Sequence, residues 1–316
     1  MTVGAIADKL LAGTNAEQEV KAILSGVSLS EAAVWADCAK AVDTSTWTYK
    51  KDPDKHPECA PFETAPGQAA MIDFVKRNAT NCAPKPGEEL CHKQYHYADI
   101  SIRHQDYKTT YQGARSDDVI AAITAAIAVL QGEAPKAPFS IKDKREALLI
   151  LAHCAGDIHQ PLHVGAVYLD PNGKVVNPDA GPFDPATETR GGNLITVTDA
   201  EKNLHATWDA IPEDLQPANI TPAWLNKAKA VPKTAGPIAG WSSSWATDTQ
   251  KQAVKALAPL KFKPKSGGKW STKLSCPYTT SMTSTKKAQL TKAGARLAQL
   301  LTKLWPGPPV VSGGPH

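Results

Sequence analysis

A chain of 316 residues with 42% apolar composition and a formal charge of +4 can bury a large core. It holds no apolar run long enough to cross a bilayer, which excludes a helical membrane anchor within it. The mild positive charge tolerates a polyanionic substrate but does not describe a protein that coats nucleic acid.

Helical patterns dominate. They predict helices over 2–12, 15–25 with Asn15 as N-cap, 29–41 with Ser28 or Ser30 as cap, 68–77, 116–131, 142–158, 200–210, 222–229, 238–257 and 284–304. Segment 116–131 opens on Ser116-Asp117-Asp118, carries a wide apolar face (Ile120, Ile123, Ile127, Leu130) and stops at Gly132. Strand signals are weak: Leu194 to Val197, and a short piece around Ala166 to Tyr168. Pro/Gly/Asp-rich connections fill 50–67, 80–95 and 168–192. Trp208, Trp241, Trp245 and Trp270 are assigned to the core. The sequence reads as one mostly α domain over 1–305, with long loops and at most a short β-hairpin. A flexible Pro/Gly-rich tail follows over 306–316.

The six cysteines form no CxxC pair, so a thiolate zinc site is not expected. Cys59, Cys82 and Cys91 share a Pro-rich, loop-like region where at least one disulfide is expected, implying an oxidising compartment. Their connectivity cannot be read from the sequence. Cys154 lies within an apolar helix and reads as a small buried hydrophobe.

The densest chemistry lies in His153-Cys154-Ala155-Gly156-Asp157-Ile158-His159-Gln160-Pro161-Leu162-His163. His153 and Asp157 fall one helical turn apart, and Pro161 then re-aims the chain so that His163 points elsewhere. His205 and Asp209 repeat the His-x-x-x-Asp spacing. Further ligand types stand at Asp37, after Trp35-Ala36, and in His96-Tyr97-Ala98-Asp99. Imidazoles and carboxylates without thiolates suit a catalytic, water-retaining zinc site better than a structural one. His56, His92, His104 and His316 have no comparable context and are expected to face solvent.

Together these segments resemble the S1/P1-type zinc nucleases, whose helical fold is shared with bacterial phospholipase C. The resemblance rests on H-x-x-G-D-x-x-Q-P-L-H at His153–His163, R-G-G-N at Arg190–Asn193, and N-L-H-x-x-W-D at Asn203–Asp209. Trp35-Ala36-Asp37, His96-Tyr97-Ala98-Asp99 and the closing helix around Ala288–Ala298 match as well. It implies a phospholipase C/P1 nuclease-like fold and three zinc ions. Asp37, His96, His153 and Asp157 would hold one, and His163, His205 and Asp209 a second. Asp157 would bridge to a third, completed in the family by an N-terminal Trp and a nearby His. Nothing before Trp35 supplies those two ligands, so two zinc sites are complete here. An upstream start carrying the missing ligands and a signal peptide is the expectation.

The resemblance further implies hydrolysis of single-stranded DNA and RNA to 5′-phosphate products through a metal-bound hydroxide, with 3′-nucleotidase activity as a companion. Asp157, Asn193 and Asp99 take catalytic places. Tyr97 would stack on a base, unless it merely packs in the core, and Asp99 would hydrogen-bond that base. Asn193 would meet the phosphate, and Arg190 either adds positive charge or is simply solvated. His159 is not a ligand position and is expected to orient Asp157 or the hydroxide. The long spacing from Asp37 to His96 is an insertion relative to compact members and is expected to form an extra loop near the cleft. The implied protein is secreted or periplasmic, monomeric and not stably membrane-associated. The competing readings are a phospholipase C-like phosphodiesterase and a metal-binding member inactive in this form.

Overall fold

The computed structural model describes residues 1–200 and 202–308. Helices α1 (Thr2–Leu11) and α2 (Asn15–Leu24) come first. Thr14, not Asn15, caps α2, its side chain accepting from the Glu17 N–H. The helix expected over 29–41 is broken into α3 (Leu29–Ala32) and α4 (Trp35–Ala39). Ser28 and Glu31 form a full capping box at the start of α3. At the break the Ala33 carbonyl accepts a hydrogen bond from His153 Nδ1, 2.7 Å away.

The chain continues through β1 (Val42–Asp43), β2 (Thr48–Tyr49), α5 (Ala65–Asn78), α6 (Cys91–Gln94) and β3 (Ile100–Ser101). Next come α7 (Val119–Leu130) and α8 (Lys144–Asp157). Asp118 starts α7 as expected, its carboxylate accepting from the N–H groups of Ile120 and Ala121. Helix α8 is buried on every side from Glu146 to Ala155, which makes it the central rod of the fold. Helices α7, α3, α4 and the later α12 pack around it.

The remaining elements are β4 (Gly165–Ala166), β5 (Tyr168–Leu169), β6 (Val175–Val176), β7 (Ile195–Val197), α9 (Leu204–Asp209), α10 (Pro222–Lys229), α11 (Trp241–Leu257), β8 (Lys263–Ser266), β9 (Lys269–Thr272) and α12 (Cys276–Leu304). Helix α12 starts well before the expected residue 284, with Ser275 as its cap. It crosses α1 closely at Gly294, where a Cβ would come within 2.5 Å of the Ile6 Cβ; only glycine allows this approach.

The fold is mostly α, about half helical, as expected. Its strand content among the described residues exceeds the single short hairpin expected: three two-stranded sheets and one three-stranded sheet of order β7-β9-β8. Strands of two to four residues leave too few alternations for a period to register. In the largest sheet, β7 pairs parallel to β9, joining residues far apart in sequence. Trp208 and Trp270 are buried in a second apolar cluster beside that sheet, while Trp241 and Trp245 lie in the main core.

Two disulfides tie the extra loop region down. Cys82–Cys91 closes it locally, and Cys38–Cys59 fastens it to α4. Cys154 is buried and unpaired, as expected. Trp305 packs against the core, and at the first residue of the expected tail the Pro306 carbonyl accepts from Asn15 Nδ2 at 3.2 Å. Residues 309–316, including His316, lie outside the described residues. No helix among the described residues is long and apolar enough to cross a membrane.

Candidate metal centre

Two ligand groups assemble around the end of α8. The first joins Asp37 from α4, His96 from the turn after α6, and His153 from α8. Asp157, one turn along from His153, places Oδ2 2.9 Å from His153 Nε2 and 3.0 Å from His96 Nδ1. The second group is His163, His205 and Asp209. Its Asp209 oxygens lie 3.5 Å from His163 Nε2 and 3.4 Å from His205 Nε2. Asp157 Oδ1 reaches back to within 3.5 Å of His163 Nδ1, so this one carboxylate touches both groups.

The backbone sets this arrangement. Ala98 donates to the His163 carbonyl, and β3 pairs parallel with β4, matching Ile100 to Gly165. The segments carrying His96 and His163 are thereby zipped together. In the Arg190–Asn193 turn, Gly191 has φ +56°, and a Cβ there would meet the Leu162 carbonyl oxygen at 2.7 Å and His205 Nδ1 at 3.2 Å. The glycine lets its own carbonyl accept from His205 Nδ1 at 2.9 Å.

Backbone carbonyls hold three imidazoles through Nδ1: Ala33 for His153, His96 for His163, and Gly191 for His205. Each Nδ1 is thus the donor, leaving the Nε2 lone pair toward the cluster. His153 Nε2 lies only 2.8 Å from His96 Nδ1. Converging basic nitrogens beside carboxylates are stable only around a proton or cation, and the donor set of nitrogen and carboxylate oxygen fits zinc.

The same contacts shift the titration of these groups. Burial opposes the charge of Asp157, yet His153 and His163 hold its carboxyl well below the usual range. Burial likewise opposes charge on His163, but Asp157 and Asp209 outweigh it and push the imidazole up to about 9. His96 moves the other way, to about 4, through burial and then the charge of Lys40.

A cleft of about 350 Å³ opens over these groups, lined by Asp37, Lys40, His153, Asp157, His163, His205, Asp209 and Lys286 among others. Lys40 and Lys286 were missed by sequence reasoning. Lys40 pairs with Asp37 at 2.8 Å, and its place one turn beyond Asp37 was the available signal. Gln160 was also left without a role; its Nε2 donates to Asp209 Oδ1 at 2.9 Å.

Tyr97, Asp99, Arg190 and Asn193 are not among the residues lining this cleft. Asp99 Oδ1 is buried, unpartnered and next to Gly191. Burial, then the charge of Glu188, pushes its carboxyl up to about 7. Tyr97 is half-buried, and its hydroxyl donates to Glu89 Oε2 at 3.1 Å. Asn193 is exposed and links the turn to α9, donating to the Arg190 carbonyl and accepting from Asn203 Nδ2. The Arg190 side chain is exposed.

Three histidines, His159, His92 and His104, depart from expectation. His159 does not orient Asp157: its Nδ1 donates to the Ala155 carbonyl and its Nε2 accepts from Arg296. Its ring packs against Trp245 and Arg296 while the residue still borders the cleft. His92, expected in solvent, is 2% exposed, and neither ring nitrogen has a hydrogen-bond partner. It directly follows Cys91, which is bonded to Cys82. His56 is exposed as expected, and His104 is half-buried against Asp179 and Tyr111.

Burial pushes the His92 imidazole down to about 3 from 6.5. Below pH 6.5 the unfolded chain takes up a proton that the folded chain refuses, so stability falls as pH drops from about 6.5 toward 3. His92→Leu is expected to stabilise by about 1–3 kcal/mol, since it removes two unpaired buried nitrogens. The gain should be larger at pH 5 than at pH 8. Denaturant titration at both values measures it; an equal or smaller gain at pH 5 would refute the argument.

No curated protein matches the chain. A family model described as S1/P1 nuclease matches residues 84–305, a span holding His96, the α8 motif, the Arg190–Asn193 turn and α9. With that match covering most of its length, the chain belongs to the S1/P1 nuclease family.

Proposed function

We propose that this protein is a zinc-dependent nuclease that hydrolyses single-stranded DNA and RNA to 5′-phosphate products and also dephosphorylates 3′-nucleotides. Family membership itself carries the coarser statement, hydrolysis of phosphodiester bonds. The finer reading rests on one observation: Asp157 joins two imidazole–carboxylate groups at the base of a single open cleft. Asp37, His96, His153 and Asp157 would hold one zinc ion, and His163, His205 and Asp209 another. Bound zinc would supply acidified water and neutralise charge on the phosphoryl oxygens.

The chain's own groups do the rest. Lys40, held over the cleft by Asp37, presents an ammonium to the substrate phosphate. Gln160 fixes Asp209 from the side. Tyr97 offers a ring face to an unpaired base, with its edge pinned by Glu89. Asp99 lies beside the second group with a free buried oxygen for that base's edge. Asn193 and Arg190, exposed and outside the cleft lining, would meet the phosphate backbone of a bound strand. Two disulfides support a secreted or periplasmic location, and the protein is read as a monomer.

The test compares release of 5′-nucleotides from single-stranded and duplex oligonucleotides with release of phosphocholine from lipid. Single-stranded substrate should be strongly preferred. Because stacking contributes about 1–3 kcal/mol per base, Tyr97→Ala should raise KM roughly tenfold to a hundredfold while changing kcat less. Lipid turnover without nucleotide release would overturn the reading.

A further inference from the structure

Lys286 is a buried lysine with no place in the chemistry above. It is 8% exposed, near the start of the core-facing part of α12, and lines the cleft beside Trp208 and Asp209. Its Nζ donates to the carbonyls of Thr207 at 2.6 Å and Ala210 at 2.9 Å. Burying an ammonium against neutral carbonyls is costly, so the contact needs a reason.

The two carbonyls belong to the last turn of α9 and the residue that ends it. Such carbonyls lack helical partners, and a cation there complements the helix dipole. Helix α9 has six residues, too few to hold its shape unaided. Asn203 fixes its first turn, accepting from the Ala206 N–H at 2.7 Å. Lys286 fixes its last, and Asp209 lies between the two carbonyls that Lys286 binds. The same helix supplies two of the three ligands of the second group.

We propose that Lys286 is the positioning residue of that group: it clamps the end of α9 so that Asp209 faces His163 and His205, and without it the second zinc is lost selectively. This rests on the reading of the His163–His205–Asp209 group as a zinc site. The sign of the effect is informative. As a nearby positive charge alone, Lys286 would repel zinc and its removal would tighten binding; as a clamp, its removal must weaken binding.

The experiment uses the full chain as wild type, Lys286→Met, Lys286→Arg and His205→Ala, each dialysed against zinc. Metal per chain is measured by mass spectrometry and affinity by competition with a chelator. Wild type and Lys286→Arg, which keeps charge and donors, should bind the second zinc equally. Lys286→Met should bind it 10–100-fold more weakly, as loss of groups supporting metal ligands does, with the first zinc retained. His205→Ala should lose the same equivalent. Lys286→Gln replaces the Met variant if that one does not fold. Unchanged or tighter zinc binding in Lys286→Met overturns the proposal while His205→Ala still loses zinc. Full zinc content in His205→Ala instead overturns the zinc reading of the group, and the proposal with it.

Discussion

Asp157→Asn is expected to slow hydrolysis of single-stranded DNA by at least about 10³-fold, equivalent to about 4 kcal/mol of lost transition-state stabilisation. The substitution keeps the shape of the side chain and removes only charge and one acceptor. Those are the properties the site uses. Asp157 places one oxygen within 3.0 Å of His96 and His153 and the other within 3.5 Å of His163. An amide would turn an N–H toward an imidazole nitrogen or leave one group without its carboxylate. Steady-state rates at saturating substrate, with zinc content measured on the same samples, decide the matter. Activity within tenfold of wild type would remove Asp157 from the centre of the proposal.

Withdrawing zinc is expected to cost folding stability as well as activity. Without a cation, His153 Nε2 and His96 Nδ1 face each other at 2.8 Å, and the carboxylates of Asp37 and Asp157 share the same small volume. A ligand present at a thousand times its dissociation constant stabilises the fold by about 4 kcal/mol per site. For a chain of this size that corresponds to a fall in Tm of roughly 10 °C on treatment with a chelator. Zinc should restore the original value, and magnesium, which suits all-oxygen octahedral sites, should not. Scanning calorimetry of the chelated and reloaded protein tests this; identical transitions would mean that the clusters hold no structural charge.

Much of the candidate site was legible because its geometry is local. His153 with Asp157, and His205 with Asp209, are pairs that any helix brings onto one face, and both pairs stand on helices here. The break in the 29–41 helix was not legible, since its residues suit a helix throughout; the Ala33 carbonyl bound by His153 lies at that break. Lys40 and Lys286 escaped notice because a lysine in sequence carries no sign of whether it faces water or a cleft. The burial of His92 was not legible, since a single polar residue in a Pro-rich connection shows no periodic pattern. The parallel pairings β3–β4 and β7–β9 join segments too short and too distant to leave a periodic trace.

The zipper between the His96 and His163 segments has a consequence for how the molecule comes into being. The candidate ligands are drawn from α4, the turn after α6, α8, the turn after it, and α9, and beyond the local pairs His153–Asp157 and His205–Asp209 they meet through contacts distant in sequence. A chain ending before Asp209 lacks part of the second cluster, so hydrolytic competence waits for the segments up to Asp209 and for the tertiary contacts between them. Recovery of activity during refolding should therefore trail recovery of helical signal, making catalysis itself a reporter of the last step of assembly.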